Sequence, residues 1–515
     1  MGKILPSFQK NLIEELIDNI SSNTSQYYVI ASNPVPYGNS TPTLTNDDYK
    51  SKFEFNWKML FGKRLANTDC CPVIENNIWT TNTAYDKYDN TSNTLYSNNN
   101  YYVVAPPALV GGVYNIYKCL DNANNSKSNT NPGNIGTPTQ PAPFTTADGY
   151  KWKYITTISN SLYVKFSTEE YIPVVANSLI VDNASDYSGV DTVVITNSGN
   201  GYQAYTNGTV QSVVNSGLIQ ISNTSSTENY FYNNNSIYIY NTSLGSAQLL
   251  NIIAYISNST GKWVYFDSAA NTSIIFPSQS EYIISPQVVF DTDGDIAPKA
   301  YSTVNTFSNT IHTIELLEAG TNITRANVWI ESSYGSGANL YAIVPPPGGH
   351  GFSPTTELNV KGVALSFSFS NTESNTIVTS NVNYNKIALI KNPYALSNTG
   401  TKSSRYYTNT FNQCTKVSLS PNTAFQLGEE VIGATSNSKG IIAYSNSSHA
   451  FIVGDKTFSN GEIIGNTTSA SLTTITISTL GDIYAKDLNP FYIQNINNIN
   501  RSNTQNERFK IILQV

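Results

Sequence analysis

The side chains best suited to acid–base, nucleophilic or metal chemistry are three histidines, His312, His350 and His449, and four cysteines, Cys70, Cys71, Cys119 and Cys414. No histidine falls in an HExxH pattern, and none neighbours a cysteine at metal-ligand spacing. His350 lies between glycines in PPPGGHGF (345–352), where an imidazole can be an exposed ligand or base but more often fills a turn. His312 alternates with apolar neighbours and reads as a strand residue. Asp291, Asp293 and Asp295 open like a calcium loop, yet Ile296 stands where that loop needs glycine and Ser302 where it needs a bidentate glutamate. A polar turn is expected there, with weak calcium binding left open. There is no phosphate-cradling GxxxxGK[ST], no strand-linked GxGxxG and no nucleophile elbow. Glu357, Glu429 and Glu430 read as ordinary surface or hairpin carboxylates, although one sequence leaves a carboxylate pair for glycoside cleavage open. The expectation is a protein without catalysis, cofactor or resident metal.

Composition narrows the class further. At 515 residues the chain exceeds a single core, which stops growing near about 250–300 residues. Only 12% of residues are charged, yet 39% are hydrophobic and tyrosine alone numbers 35, so disorder is not expected. The net charge of -7 and the absence of a Lys/Arg run argue against a nucleic-acid partner. The vicinal Cys70–Cys71 pair and two distant cysteines suit buried free thiols rather than a disulfide framework. The opening MGKILPSFQKNLIEELIDNI has no uninterrupted apolar stretch, so neither a secretory leader nor a membrane span is expected.

The elements follow from periodicity. Apolar residues at 3–4 spacing predict a helix over Phe8–Ile20, with Ser7 as its cap. A second helix is expected within Asp47–Leu60, with Phe53, Trp57, Leu60 and Phe61 on one face. Strands are expected at Tyr27–Ile30, Tyr101–Val104, Val113–Cys119 and Tyr154–Ile158. Residues 121–148, rich in Pro, Asn, Gly and Thr, read as an exposed excursion between two strands. Two internal echoes appear, 193–210 with 314–330 and 425–444 with 458–477, each read as a strand–turn–strand hairpin. In DGYKWKY, alternation places Tyr150, Trp152 and Tyr154 on one strand face, as core or interface. Aromatics also crowd the first third of the chain, including Trp57, Trp79 and Tyr85. Such residues over a charge-poor surface suit permanent assembly.

Several segments together resemble one family, the peripheral β-rich wedge subunit of T-even-like phage baseplates. They are YYVIASNPVPY (27–37), WKMLFGKRL (57–65) and IENNIWTTNTAYDKYDN (74–90), then VYNIYKCLDN (113–122) with Tyr117. DGYKWKYITTI (148–158) follows. PPPGGHGFSPTTEL (345–358) and NYNKIALIKNP (383–393) are similar to later landmarks, and Asn500–Arg501 falls where members tend toward Asn-Arg-x-Pro. The likeness covers roughly 1–175, 345–415 and 484–515.

The expected architecture is mostly β and multidomain: a discontinuous β core with short N-terminal helices and inserted small β modules. The expected parts are 1–176, an insert at 177–344, core again at 345–415, a repeat module at 416–483 and a terminal core strand at 484–515. The resemblance implies a homodimeric, non-enzymatic virion component of the tail baseplate, made in the host cytoplasm. It would bind other wedge subunits and transmit rearrangement during sheath contraction. On it, Trp57, Trp79, Tyr85, Tyr117, Tyr150, Trp152, Tyr154 and His350 are structural or interface residues. The alternative is a glycan-binding adhesin or tailspike, or a depolymerase, served by exposed aromatics and Asn-rich loops.

Overall fold

The computed structural model describes residues 6–22, 24–38, 42–98, 100–136, 139–370, 382–419, 425–458, 463–468, 471–472, 476–501 and 505–514. It is mostly β, 46% strand against 13% helix, in several sheets with a few short helices. The chain divides into two compact units, one of residues 73–361 and one of 1–72 with 362–515. The expected divisions at 176, 344, 415 and 483 fall inside these units.

In the discontinuous unit, an antiparallel sheet runs in the order Thr410–Asn412, Met59–Arg64, Tyr27–Ser32, Asn383–Lys391, Tyr492–Asn500. Sequence-distant apolar runs thus meet, and Tyr28, Ile30, Met59, Ala388 and Phe411 close one core. The first helix spans Pro6–Ser21 and buries Ile13 and Ile20. Ser7 lies inside it rather than at its cap. The second helix is Tyr49–Trp57, capped by Asp48, whose carboxylate accepts from Ser51 N at 2.7 Å. It ends at Trp57, earlier than expected. Leu60 and Phe61 belong to the following strand, because their run of β-forming apolar residues pairs with Tyr27–Ser32. Arg501 is fully buried, its Nε 3.2 Å from Glu507 Oε1.

The 425–444 and 458–477 echo is realised as hairpins: Glu430–Gly433 pairs with Lys439–Ser445, and Ile463–Gly465 with Ser471–Leu472. The first strands also pair with each other antiparallel, with Ile432 opposite Ile464. The two copies therefore meet about a local two-fold axis in a seven-stranded sheet. Glu429 is buried, not a surface carboxylate. It accepts from Gln426 N and, across the copies, from Thr467 N and Thr468 N.

In the 73–361 unit, a four-stranded sheet runs Tyr102–Ala105, Tyr114–Asn122, Tyr150–Ile158, Phe144–Thr145. A larger nine-stranded sheet lies between 206 and 331. Here the 193–210 and 314–330 echo departs from expectation. Thr192–Asn200 pairs with Ser336–Ile343, and Thr206–Asn215 with strands Leu218–Ile221 and Glu281–Thr292. Thr310–Glu318 pairs with Lys299–Asn305, and Ala326–Glu331 with Glu281–Thr292. Neither copy is a hairpin; each glycine turn passes the chain to a different partner strand, where more apolar surface can be buried. All four cysteines are buried, and none is in a disulfide. Among the described residues, no helix is long and apolar enough to cross a membrane.

Candidate functional site

The strand Tyr150–Ile158 lies between Tyr114–Asn122 and Phe144–Thr145, so both its edges are paired, and it is buried along most of both faces. Tyr150, Trp152 and Tyr154 join Tyr85, Tyr117 and Cys119 in one core, against which Trp79 and Phe144 pack. Trp152 is fully buried, stacked on Tyr150 at 5.3 Å and edge-on to Tyr85 at 6.0 Å. These candidates are core residues. Trp57 lies apart, in the discontinuous unit, where its indole N–H donates to Asp455 at 3.0 Å.

The 121–148 segment, expected as an exposed excursion, is exposed or half-buried over most of its described residues but anchored at a few buried points. Ser128 is fully buried and Pro132 is buried. Asp148 Oδ2 accepts from Ser128 Oγ, Asn129 N and Thr130 N at 3.1, 2.8 and 2.9 Å. These bonds, and one from Thr146, hold the Asp148 carboxyl below its ordinary value against the upward push of burial. The Tyr150 hydroxyl donates to Ser126 O at 2.5 Å and the Trp79 indole to Ser128 Oγ at 3.1 Å. The loop is tied down where the Asp148 carboxylate and the Tyr150 and Trp79 donors meet its backbone groups and the Ser128 hydroxyl. Asp148→Ala should therefore lower stability by about 1–3 kcal/mol through unpaired donors. Urea unfolding checks this; an unchanged midpoint would contradict it.

Next to this core lies a buried ionic cluster. His350 fills a turn, as expected, but a buried one, 1% exposed, and Glu357 is 3% exposed, not a surface carboxylate. Their loop turns sharply through Gly348, Gly349 and Gly351, at φ 85°, 89° and 83°. A Cβ on Gly349 would stand 2.1 Å from Ala184 O, and one on Gly351 2.3 Å from Ile180 Cγ2. Glycine is thus required by both conformation and space. Glu357 Oε1 lies 2.9 Å from Lys118 Nζ and 2.6 Å from His350 Nδ1, while Oε2 accepts from Gly351 N at 2.5 Å. His350 Nε2 lies 2.8 Å from Asp191 Oδ2. Each ring nitrogen faces a carboxylate oxygen, and Nδ1 also lies 3.3 Å from Lys118 Nζ. Tyr88 covers the ammonium of Lys118 at 3.4 Å from its ring centroid, and the Tyr101 hydroxyl donates to Glu357 O at 2.9 Å.

Burial alone would raise the Glu357 carboxyl, but Lys118 and His350 override it and hold it far below the usual range. Burial pulls Lys118 down, opposed by Glu357 and Asp191. Lys153, opposite Lys118 across the strand pair, is pushed down to about 8 by burial, again opposed by both carboxylates. The cluster is sealed: Lys118 and His350 lie against Glu357 and Asp191, and each of the four has a partner. Such an arrangement fixes a fold and gives a substrate no access. Sequence reasoning singled out His350 but missed Lys118, Asp191 and Glu357. The signal for Lys118 and Glu357 was present, since both stand inside segments that carry the family resemblance.

The Asp291–Asp295 turn is engaged by protein donors. Asp291 pairs with Arg325 at 3.0 Å, Asp293 accepts from Thr324 N and Arg325 N, and Asp295 from Asn322 Nδ2. Thr324 and the two backbone N–H groups bring the Asp293 carboxyl down to about 2. A guanidinium amid these carboxylates fits an ion-paired turn. Among the described residues, no three His, Cys, Asp or Glu side chains cluster as metal ligands would. His312 faces outward from its strand, away from the cluster. No family model matches the chain, and no curated protein matches it.

Proposed function

We propose that the chain is a structural subunit of a phage tail baseplate wedge, acting as a homodimer that binds other wedge subunits and catalyses nothing. The observation that carries this reading is where the family-like segments end up. Tyr88, Lys118, His350 and Glu357 come from three separate segments and converge on one buried ionic cluster, while Trp152, from a fourth, packs in the aromatic core of the same unit. Residues arranged to hold a scaffold, without an open reaction site among them, fit an assembly part.

A second feature supports assembly. The hairpin of Tyr102–Ala105 and Tyr114–Asn122 is closed by PPALVGGV (106–113), a loop without a single polar side chain. Leu109 is 79% exposed and Val110 107%. Burying each in a partner would contribute about 1.5–3 kcal/mol. This tip is the docking element we assign to a neighbouring protein. It carries neither the basic residues nor the Trp belt with which loops enter lipid. Leu109→Ser with Val110→Ser should leave the isolated chain's stability within about 0.5 kcal/mol. The same variant should sharply reduce recovery in purified tail particles. Wild-type recovery of the variant would remove the tip from the interface, and absence of the wild-type chain from tails would remove the wedge assignment itself.

A further inference from the structure

The discontinuous unit holds a cleft of about 1100 Å³, slightly larger than the ordinary ligand-site range of ~300–1,000 Å³. One wall is the end of helix Tyr49–Trp57, where Phe53 and Trp57 stand one turn apart on the same face. Phe53 is 65% exposed, an unusual position for that side chain. Trp57 is held rigidly: its N–H donates to Asp455 Oδ1 at 3.0 Å, and Asp455 Oδ2 accepts from Lys439 N at 2.8 Å. Gln413 is fixed by two bonds with the Ile483 backbone, at 2.7 and 3.0 Å. Lys456 donates to the Gln413 carbonyl oxygen, and Asp482 Oδ2 accepts from Asn412 N at 2.7 Å. The rim is a hydroxyl-rich turn, in which Ser397 lies 2.9 Å from Thr399 and 2.8 Å from Thr401.

The lining selects among ligand classes. An anion would meet Asp455 and Asp482, while of the two lysines in the lining Lys456 is already spent on Gln413 and Lys486 is exposed to solvent. Burial pushes Lys456 down to about 8 and Asp482 up, so the cleft disfavours charge of either sign. A purely apolar ligand would strand the hydroxyls, amide and carboxylates without water. A sugar answers both demands, with C–H faces for aromatic rings and hydroxyls for polar rim groups. We propose that this cleft binds a neutral oligosaccharide, stacked on Phe53 and Trp57 and hydrogen-bonded by Ser397, Thr399 and Asp482. This goes beyond the wedge role and does not depend on it.

Calorimetric titration of the full chain with maltohexaose, cellohexaose, mannohexaose and N-acetylchitohexaose tests the site, with hexalysine as the cationic peptide control. At least one sugar should bind saturably. Phe53→Ala, at an exposed position, should keep the melting temperature and weaken that binding by about tenfold. Three results would each overturn the proposal: no binding by any sugar, binding by hexalysine alone, or sugar binding that Phe53→Ala leaves unchanged.

Discussion

Trp152→Ala is expected to cost about 3–5 kcal/mol, because no neighbour can collapse into the space of a fully buried indole. Trp152 is 0% exposed and shares its core with Tyr85, Tyr117, Tyr150 and Tyr154. The sheet gives little room for relaxation, since Cys119 and Phe144 flank it on the adjacent strands. Urea unfolding of the full chain should show an earlier transition for the 73–361 unit. Trp152→Phe is expected to cost far less. It keeps most of the ring volume and removes an indole N–H that has no hydrogen-bond partner among the described residues. Equal midpoints for wild type and Trp152→Ala would refute the placement of this residue at the centre of the core.

The second large effect is expected at Glu357. Glu357→Gln should cost about 3–5 kcal/mol, chiefly by leaving Lys118 buried without its counter-charge. Replacing both, as Lys118→Met with Glu357→Met, should cost less than the sum of the single changes, since no unpaired charge is then left at that contact. The pH dependence has a definite sign. The folded Glu357 carboxyl lies below its unfolded value of about 4.3, so its stabilisation is full above that pH. It is lost as acid approaches the folded value. Stability of the wild type should fall on acidification below about pH 4.3, and more steeply than that of Glu357→Gln. Parallel pH profiles would mean that Glu357 is not the ionised partner described here.

The alternation in DGYKWKY made a strand with three aromatics on one face legible before any coordinates, because period two follows from the backbone alone. The helix Pro6–Ser21 was legible from its 3–4 apolar spacing, and the strands at Tyr27, Tyr102 and Tyr114 from short β-forming runs bounded by polar and turn residues. Strand partners were not. Whether Thr192–Asn200 pairs with its sequence neighbour or with Ser336–Ile343 depends on which surfaces remain to be covered, and no local pattern encodes that. Polarity marked 121–148 as a loop but not its anchors, where Asp148 and Tyr150 tie the hydrophilic segment to its neighbours. The ionic cluster was hidden for a related reason. Lys118 and Asp191 look like surface residues until His350 and Glu357 arrive, from more than 150 positions later in the chain, to pair with them.

The wedge assignment is tested most directly by locating the chain on a particle. Gold-labelled antibody against the full chain, applied to intact contractile-tailed virions that encode it, should mark the end of the tail distal to the capsid. Virions without label, or label confined to the capsid or along the sheath, would contradict a role in the baseplate.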